Sequence, residues 1–89
     1  MSEIHVAHHE GNRYEVTVKG GKTTTHHVDL PRDYYLKLSG GKISEEDLIR
    51  RSFEFLLKHE PNTAIFPRFE LATINRYFPD FEATMTREI

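Results

Sequence analysis

The sequence contains no cysteine, no tryptophan, and no apolar run long enough to cross a bilayer. Without cysteine there can be no disulfide framework, no Cys-based zinc site and no Cys–His catalytic pair. That absence also agrees with a reducing compartment, so a cytoplasmic location is expected. A spanning helix needs about 18 or more consecutive apolar residues, and none is present. The stretch from Met1 to Glu10 is polar and histidine-rich, unlike a signal peptide.

A basic block is missing too. Net charge is −2, and each third of the chain is close to balanced, so the basic footprint of a nucleic-acid binder is absent. Ser2, Ser39, Ser44 and Ser52 lack the Gly-x-Ser-x-Gly setting of a nucleophile elbow. Gly20-Gly21-Lys22 and Gly40-Gly41-Lys42 lack P-loop spacing and read as turns. A non-enzymatic protein without a cofactor is expected.

What is present suits a globular chain. Hydrophobic residues make up 37% and charged residues 29%, which separates it from disordered sequences. Its 89 residues make a single domain, 1–89, small enough that surface competes with core. Such a chain without staples gains core by pairing with a copy of itself, so a homodimer is expected.

Residues 3–30 alternate with period 2 and predict a three-stranded antiparallel meander over the segment 1–30, with turns at Glu10-Gly11-Asn12 and Gly20-Gly21-Lys22. Burial selects the register. Three-residue loops set Val18 opposite Ile4 and Thr24, Val16 opposite Val6 and His26, and Tyr14 opposite His8 and Val28. That choice gathers Ile4, Val6, Tyr14, Val16, Val18, Val28 and Leu30 on one face, whereas a one-residue slip reverses every side chain. The opposite face keeps His5, His9, Arg13, Glu15, Thr17, Lys19, Thr25, His27 and Asp29.

Residues 31–60 predict two helices. Pro31 opens a short one through Leu38, with a glycine of Ser39-Gly40-Gly41 as its left-handed cap. The second runs from Ser44 to about His59. Ser44 caps it, Ile43 and Leu48 are spaced as a staple, and Glu45, Glu46 and Asp47 suit the positive end of its dipole. Its apolar stripe is Leu48, Ile49, Ser52, Phe53, Leu56 and Leu57. Glu46–Arg50, Asp47–Arg51 and Glu54–Lys58 are spaced as i,i+4 ion pairs. Residues 61–89 predict a crossing over Thr63–Pro67, a third helix from about Arg68 to Phe78, and a fraying tail beyond Pro79. The whole is α+β: a three-stranded antiparallel meander followed by three helices packed on one face.

Two side-chain sets suggest sites. His9, Glu15 and His27 lie close on the polar face in this register, and two imidazoles with a carboxylate can ligate zinc, nickel or iron(II). The alternative is that these are solvated strand histidines, with His8 and His26 hydrogen-bonded at the sheet margin. Phe66, Phe69, Tyr77, Phe78 and Phe81 form an aromatic set that either closes the core or presents a partner or dimer surface.

From Thr25 to His59 the order of elements resembles a ribbon-helix-helix DNA-binding domain. The likeness rests on Val28-Asp29-Leu30-Pro31, the short helix Tyr34 to Leu38, the turn Gly40-Gly41-Lys42-Ile43-Ser44, and the opening Leu48-Ile49-Arg50. The resemblance implies a regulator or antitoxin in which two copies pair their third strands into a ribbon entering the major groove. It places Thr25, His27 and Asp29 toward DNA, and the Ser44 and Glu45 amides on a phosphate. An acidic Asp29 and the extra strands depart from that pattern. The competing expectations are a module that contacts only protein, and a histidine-rich metal-binding domain.

Overall fold

A computed structural model of the chain describes residues 3–89. Alternating residues produce β1 (Glu3–Glu10), β2 (Arg13–Lys19) and β3 (Thr24–Asp29), joined as an antiparallel meander. The register is the expected one: Ile4 pairs with Val18, Val6 with Val16 and His8 with Tyr14, while Tyr14 pairs with Val28 and Val16 with His26. A bulge between His8 and Glu10 shifts the ladder, so Glu10 faces Arg13 across a tight turn. Gly11 has φ +56° there, as the first central residue of a type II′ turn requires.

Helix α1 spans Arg32–Ser39 and ends at Gly40, whose φ of +61° makes the left-handed cap. Helix α2 spans Glu45–Leu57, and the Ser44 Oγ accepts a hydrogen bond from the Asp47 amide at 3.1 Å. It stops two residues earlier than expected, with Lys58 at the cap. Its stripe buries Leu48, Ile49, Ser52, Phe53 and Leu56 as expected, and Phe55 in addition. Of the three anticipated ion pairs only Asp47–Arg51 forms, at 3.4 Å. Asp47 also takes Arg50 at 3.4 Å, and neither Glu46–Arg50 nor Glu54–Lys58 comes within pairing distance. Such exposed pairs are worth only tenths of a kcal/mol, so packing decides the geometry.

The last third differs from expectation. No helix begins at Arg68. A single 3-10 turn (Asn62–Ala64) leads to β4 (Arg68–Glu70), which lies parallel to β3, pairing Val28 with Phe69. The His27 amide donates to the Pro67 carbonyl at 2.8 Å and the Leu71 amide to that of Asp29 at 3.0 Å. The residues alternate, with Phe69 and Leu71 inward and Arg68 and Glu70 outward, a strand period. The sheet is therefore four-stranded and mixed, in the order β1-β2-β3-β4.

Helices α3 (Thr73–Tyr77) and α4 (Phe81–Glu88) complete the chain, four helices in place of three. The tail does not fray. Phe81 and Met85 are buried in the same core as Val16, Val18, Phe53 and Leu71, and Ile89 packs against it. Phe81, Met85 and Ile89 recur every four residues, a helical stripe. Tyr34 donates to Glu82 at 2.9 Å, Lys37 pairs with Glu82 at 3.3 Å, and Arg51 donates to the Glu88 carbonyl at 3.2 Å. No helix among the described residues is long and apolar enough to cross a membrane.

Two tests follow from α4. Phe81→Ala is expected to cost about 3–5 kcal/mol in urea unfolding, the range for truncating a buried aromatic, whereas a frayed tail would lose almost nothing. The second concerns pH. Burial first, and then the bond to Glu82, hold the Tyr34 phenol well above its ordinary value of 10. The folded state thus binds that proton more tightly than the unfolded chain. Its stabilisation is complete below pH 10 and is lost as pH rises beyond it. Urea midpoints on either side of pH 10 should fall less steeply in Tyr34→Phe than in the parent.

Candidate functional site

The outer face of the sheet carries the histidines where the register puts them. Glu15 is directly opposite His27, and the His9 and His27 rings stand edge to face at 6.5 Å. Yet among the described residues no three His, Asp or Glu side chains group closely enough to hold a metal ion. The expected trio of His9, Glu15 and His27 is not such a group. His9 lies in the bulge, where the ladder shifts away from the regular spacing used to place it. The neighbouring groups have their own partners. His5 bonds to Glu3 at 2.9 Å, which together with its charge holds the Glu3 carboxyl below its usual range. His8 bonds to the Gly11 carbonyl at 2.7 Å, and Asp29 pairs with Arg13 at 3.3 Å.

Thr25 is exposed and His27 half-buried on β3, as expected. The edge of β3 is not open, however: β4 occupies it along His27–Asp29. A second copy would find half of the β3 edge already taken, whereas ribbon geometry needs the strand free. At the head of α2, Ser44 is engaged by the Asp47 amide, and Glu45 pairs with Arg32 at 3.5 Å. The Tyr14 phenol nearby is pushed above its ordinary value by burial and by the charges of Glu45 and Glu46. An anion arriving here meets carboxylates.

A second place on the molecule combines a pinned backbone with a groove. His26, only 2% exposed, ties the crossing segment to the sheet. Its Nδ1–H donates to the Phe66 carbonyl at 2.8 Å, so Nε2 accepts from the Thr24 hydroxyl, also at 2.8 Å. The Asn62 amide in turn donates to Thr24 Oγ1 at 2.9 Å and to the Lys22 carbonyl at 2.8 Å. Every member is satisfied, and no buried side-chain polar atom among the described residues lacks a partner. The backbone from Asn62 to Phe66 is thereby pinned across the end of the sheet.

Beyond this pin lies a groove of about 290 Å³ between the end of α2, the crossing segment, β4 and α3. Ile65, Phe69 and Ile74 form its buried floor, and Phe66 and Tyr77 its wall, with ring centroids 5.5 Å apart. Phe66 is 47% and Tyr77 63% exposed, a large apolar surface for so small a chain. Phe78 is half-buried and stacks on His59 at 5.0 Å. The one carboxylate lining the groove is Glu60, half-buried and outside every ion pair among the described residues.

The anticipated aromatic set thus divides. Phe81 and Phe69 belong to the core, Phe78 packs against it, and only Phe66 and Tyr77 of the five are exposed. Glu60 and Ile65 carry no signal of a site in the sequence beyond the Pro61-Asn62 turn between them, and Ile74 reads there only as an apolar position of the expected third helix. Comparison of the chain with protein-family models, curated proteins and solved structures finds no match.

Asn62→Ala removes two donor contacts of the pin. It is expected to lower stability by about 1–3 kcal/mol, against less than about 0.5 for the exposed neighbour Thr63→Ala. Urea titration of the pair, with amide exchange at His27, checks this.

Proposed function

We propose that this protein is a non-enzymatic, protein-binding module whose recognition site is the Phe66–Tyr77 groove. Its partner is a peptide segment that seats one bulky apolar side chain between the two rings and sets a lysine or arginine against Glu60. The observation carrying this reading is an unpaired, half-buried carboxylate beside two exposed aromatics on a pinned frame. Aromatic anchors surrounded by packed apolar residues are where binding energy concentrates in protein interfaces. An acid at the rim selects a cationic neighbour.

Volume supports a side chain over a larger ligand. Small-molecule pockets run from about 300 to 1,000 Å³, and this groove lies at the small end. A DNA-binding role through a paired ribbon has less support, because β4 holds the edge of β3 and the head of α2 is acidic.

Selection from a random peptide library against the full chain tests the proposal. Enriched sequences are expected to share an aromatic residue or leucine next to a lysine or arginine. Their binding should weaken at least tenfold in Tyr77→Ala and lose its cationic preference in Glu60→Gln. Enrichment that survives a Phe66→Ser, Tyr77→Ser double variant would refute it. So would salt-sensitive binding of duplex DNA with no peptide enriched.

A further inference from the structure

The sheet has two edges, and they differ. β4 is three residues long and flanked by the groove, whereas β1 runs for eight residues with no strand beyond it among the described residues. Exposed edges are ordinarily blunted by lysine, proline or a bulge that twists the strand away. β1, Glu-Ile-His-Val-Ala-His-His-Glu, contains neither lysine nor proline, and its bulge affects only the last residues. Its outer N–H and C=O groups are left as a template for another strand.

From this edge we infer that the protein pairs with a second copy of itself, β1 against β1, to form one continuous eight-stranded sheet. The side chains limit the register. Ile4 and Val6 face the helices, since they pair with the buried Val18 and Val16. A two-fold axis falling between residues would turn the apolar face of one copy against the polar face of the other, so the axis passes through a residue. The regular ladder of β1 ends at His8, so a centre on Ala7 leaves only residues 6–8 to pair. A centre on His5 pairs residues 3–7, and a centre on Val6 pairs residues 4–8 with Val6 against Val6. Both keep Ile4 and Val6 of the two copies on one face.

The helix above this edge is suited to the same symmetry. A groove between β1 and α2 is lined by Ile4, Leu57, Arg50, Glu54 and Lys58, apolar at its base and charged plus, minus, plus along its rim. Glu54 and Lys58 are free of each other and of any other ion-pair partner among the described residues. Two-fold pairing along β1 brings this rim beside the same rim of the second copy, so rims of one sign repel and rims of opposite sign attract.

Light scattering on the full chain at tens of micromolar should give twice the 10.4 kDa of one chain. Glu54→Lys makes the rim wholly basic, and Arg50→Glu with Lys58→Glu makes it wholly acidic. All three positions are exposed, so circular dichroism should be unchanged. Each variant alone should scatter as a monomer, and their mixture should restore the dimer mass. Alternate β1 amides should exchange slowly in the parent dimer and quickly in either variant. A monomeric parent overturns the inference. So does a parent dimer that both variants keep, or one whose mixed variants stay monomeric.

Discussion

Everything in this fold rests on the parity of β2. Val16 and Val18 are wholly buried and Tyr14 nearly so, while Glu15, Thr17 and Lys19 between them face outward. A slip of one residue would bury Glu15 and Lys19 beneath α2 and expose the valines. Burying unpaired charge costs several kcal/mol per group, a large share of the stability of any small domain. That single constraint sets the faces of β1 and β3. It also decides that His26, opposite Val16, points inward. An imidazole in that position must be hydrogen-bonded on both nitrogens, and the crossing segment supplies the second partner through the Phe66 carbonyl. The position of the groove wall is thus a consequence of strand register.

Legibility in the sequence follows the range of the determining interaction. The meander and α2 could be read because their signals are local: alternation between two turns, and a cap with a staple and a stripe. β4 could not. Leu71, Ile74 and Phe78 recur at helical spacing and mask the short alternation before them, and what makes Arg68–Glu70 a strand is the vacant edge of β3, about forty residues upstream. α4 failed for another reason. Its stripe of Phe81, Met85 and Ile89 was present, but Pro79 and proximity to the chain end outweighed it. The candidate groove was legible only in its aromatics, because Glu60 and Ile65 lie in the crossing and Ile74 in α3, and only the fold brings them beside Phe66 and Tyr77.

The same covering of β3 separates this chain from the ribbon-helix-helix pattern it resembles. In that pattern the strand before the first helix is a free edge that a second copy completes. Here residues 68–70 return to complete it from within. Once β4 is in place, the exposed edge moves to the far side of the sheet, to β1. The helix pair and its Ser44 cap are present and serve the packing of this chain. Helix α2 covers the meander, and the acids at its head are held by Arg32 and lie beside the Tyr14 phenol. A similar order of elements along the chain therefore does not by itself present a face that would meet a phosphate.

The two surfaces proposed for interaction lie at opposite ends of one strand order, the groove beside β4 and the open edge at β1. A dimer joined along β1 would extend the sheet and leave both grooves outermost, neither buried by the pairing. A groove this small gives modest affinity, since one apolar anchor and one ion pair must offset the entropy of ordering a peptide. Two grooves on one rigid sheet change that. A partner presenting two copies of the segment would bind the second as an intramolecular event, and overall affinity could rise by about 10²–10⁴ without any new contact. The rigidity that makes this effective comes from the His26 pin on one flank and, on the other, the regular pairing of β2 with residues 3–8 of β1. The groove and the dimer are therefore separate proposals mechanically joined: pairing along β1 sets the span between grooves, and His26 keeps each groove at its end of that span.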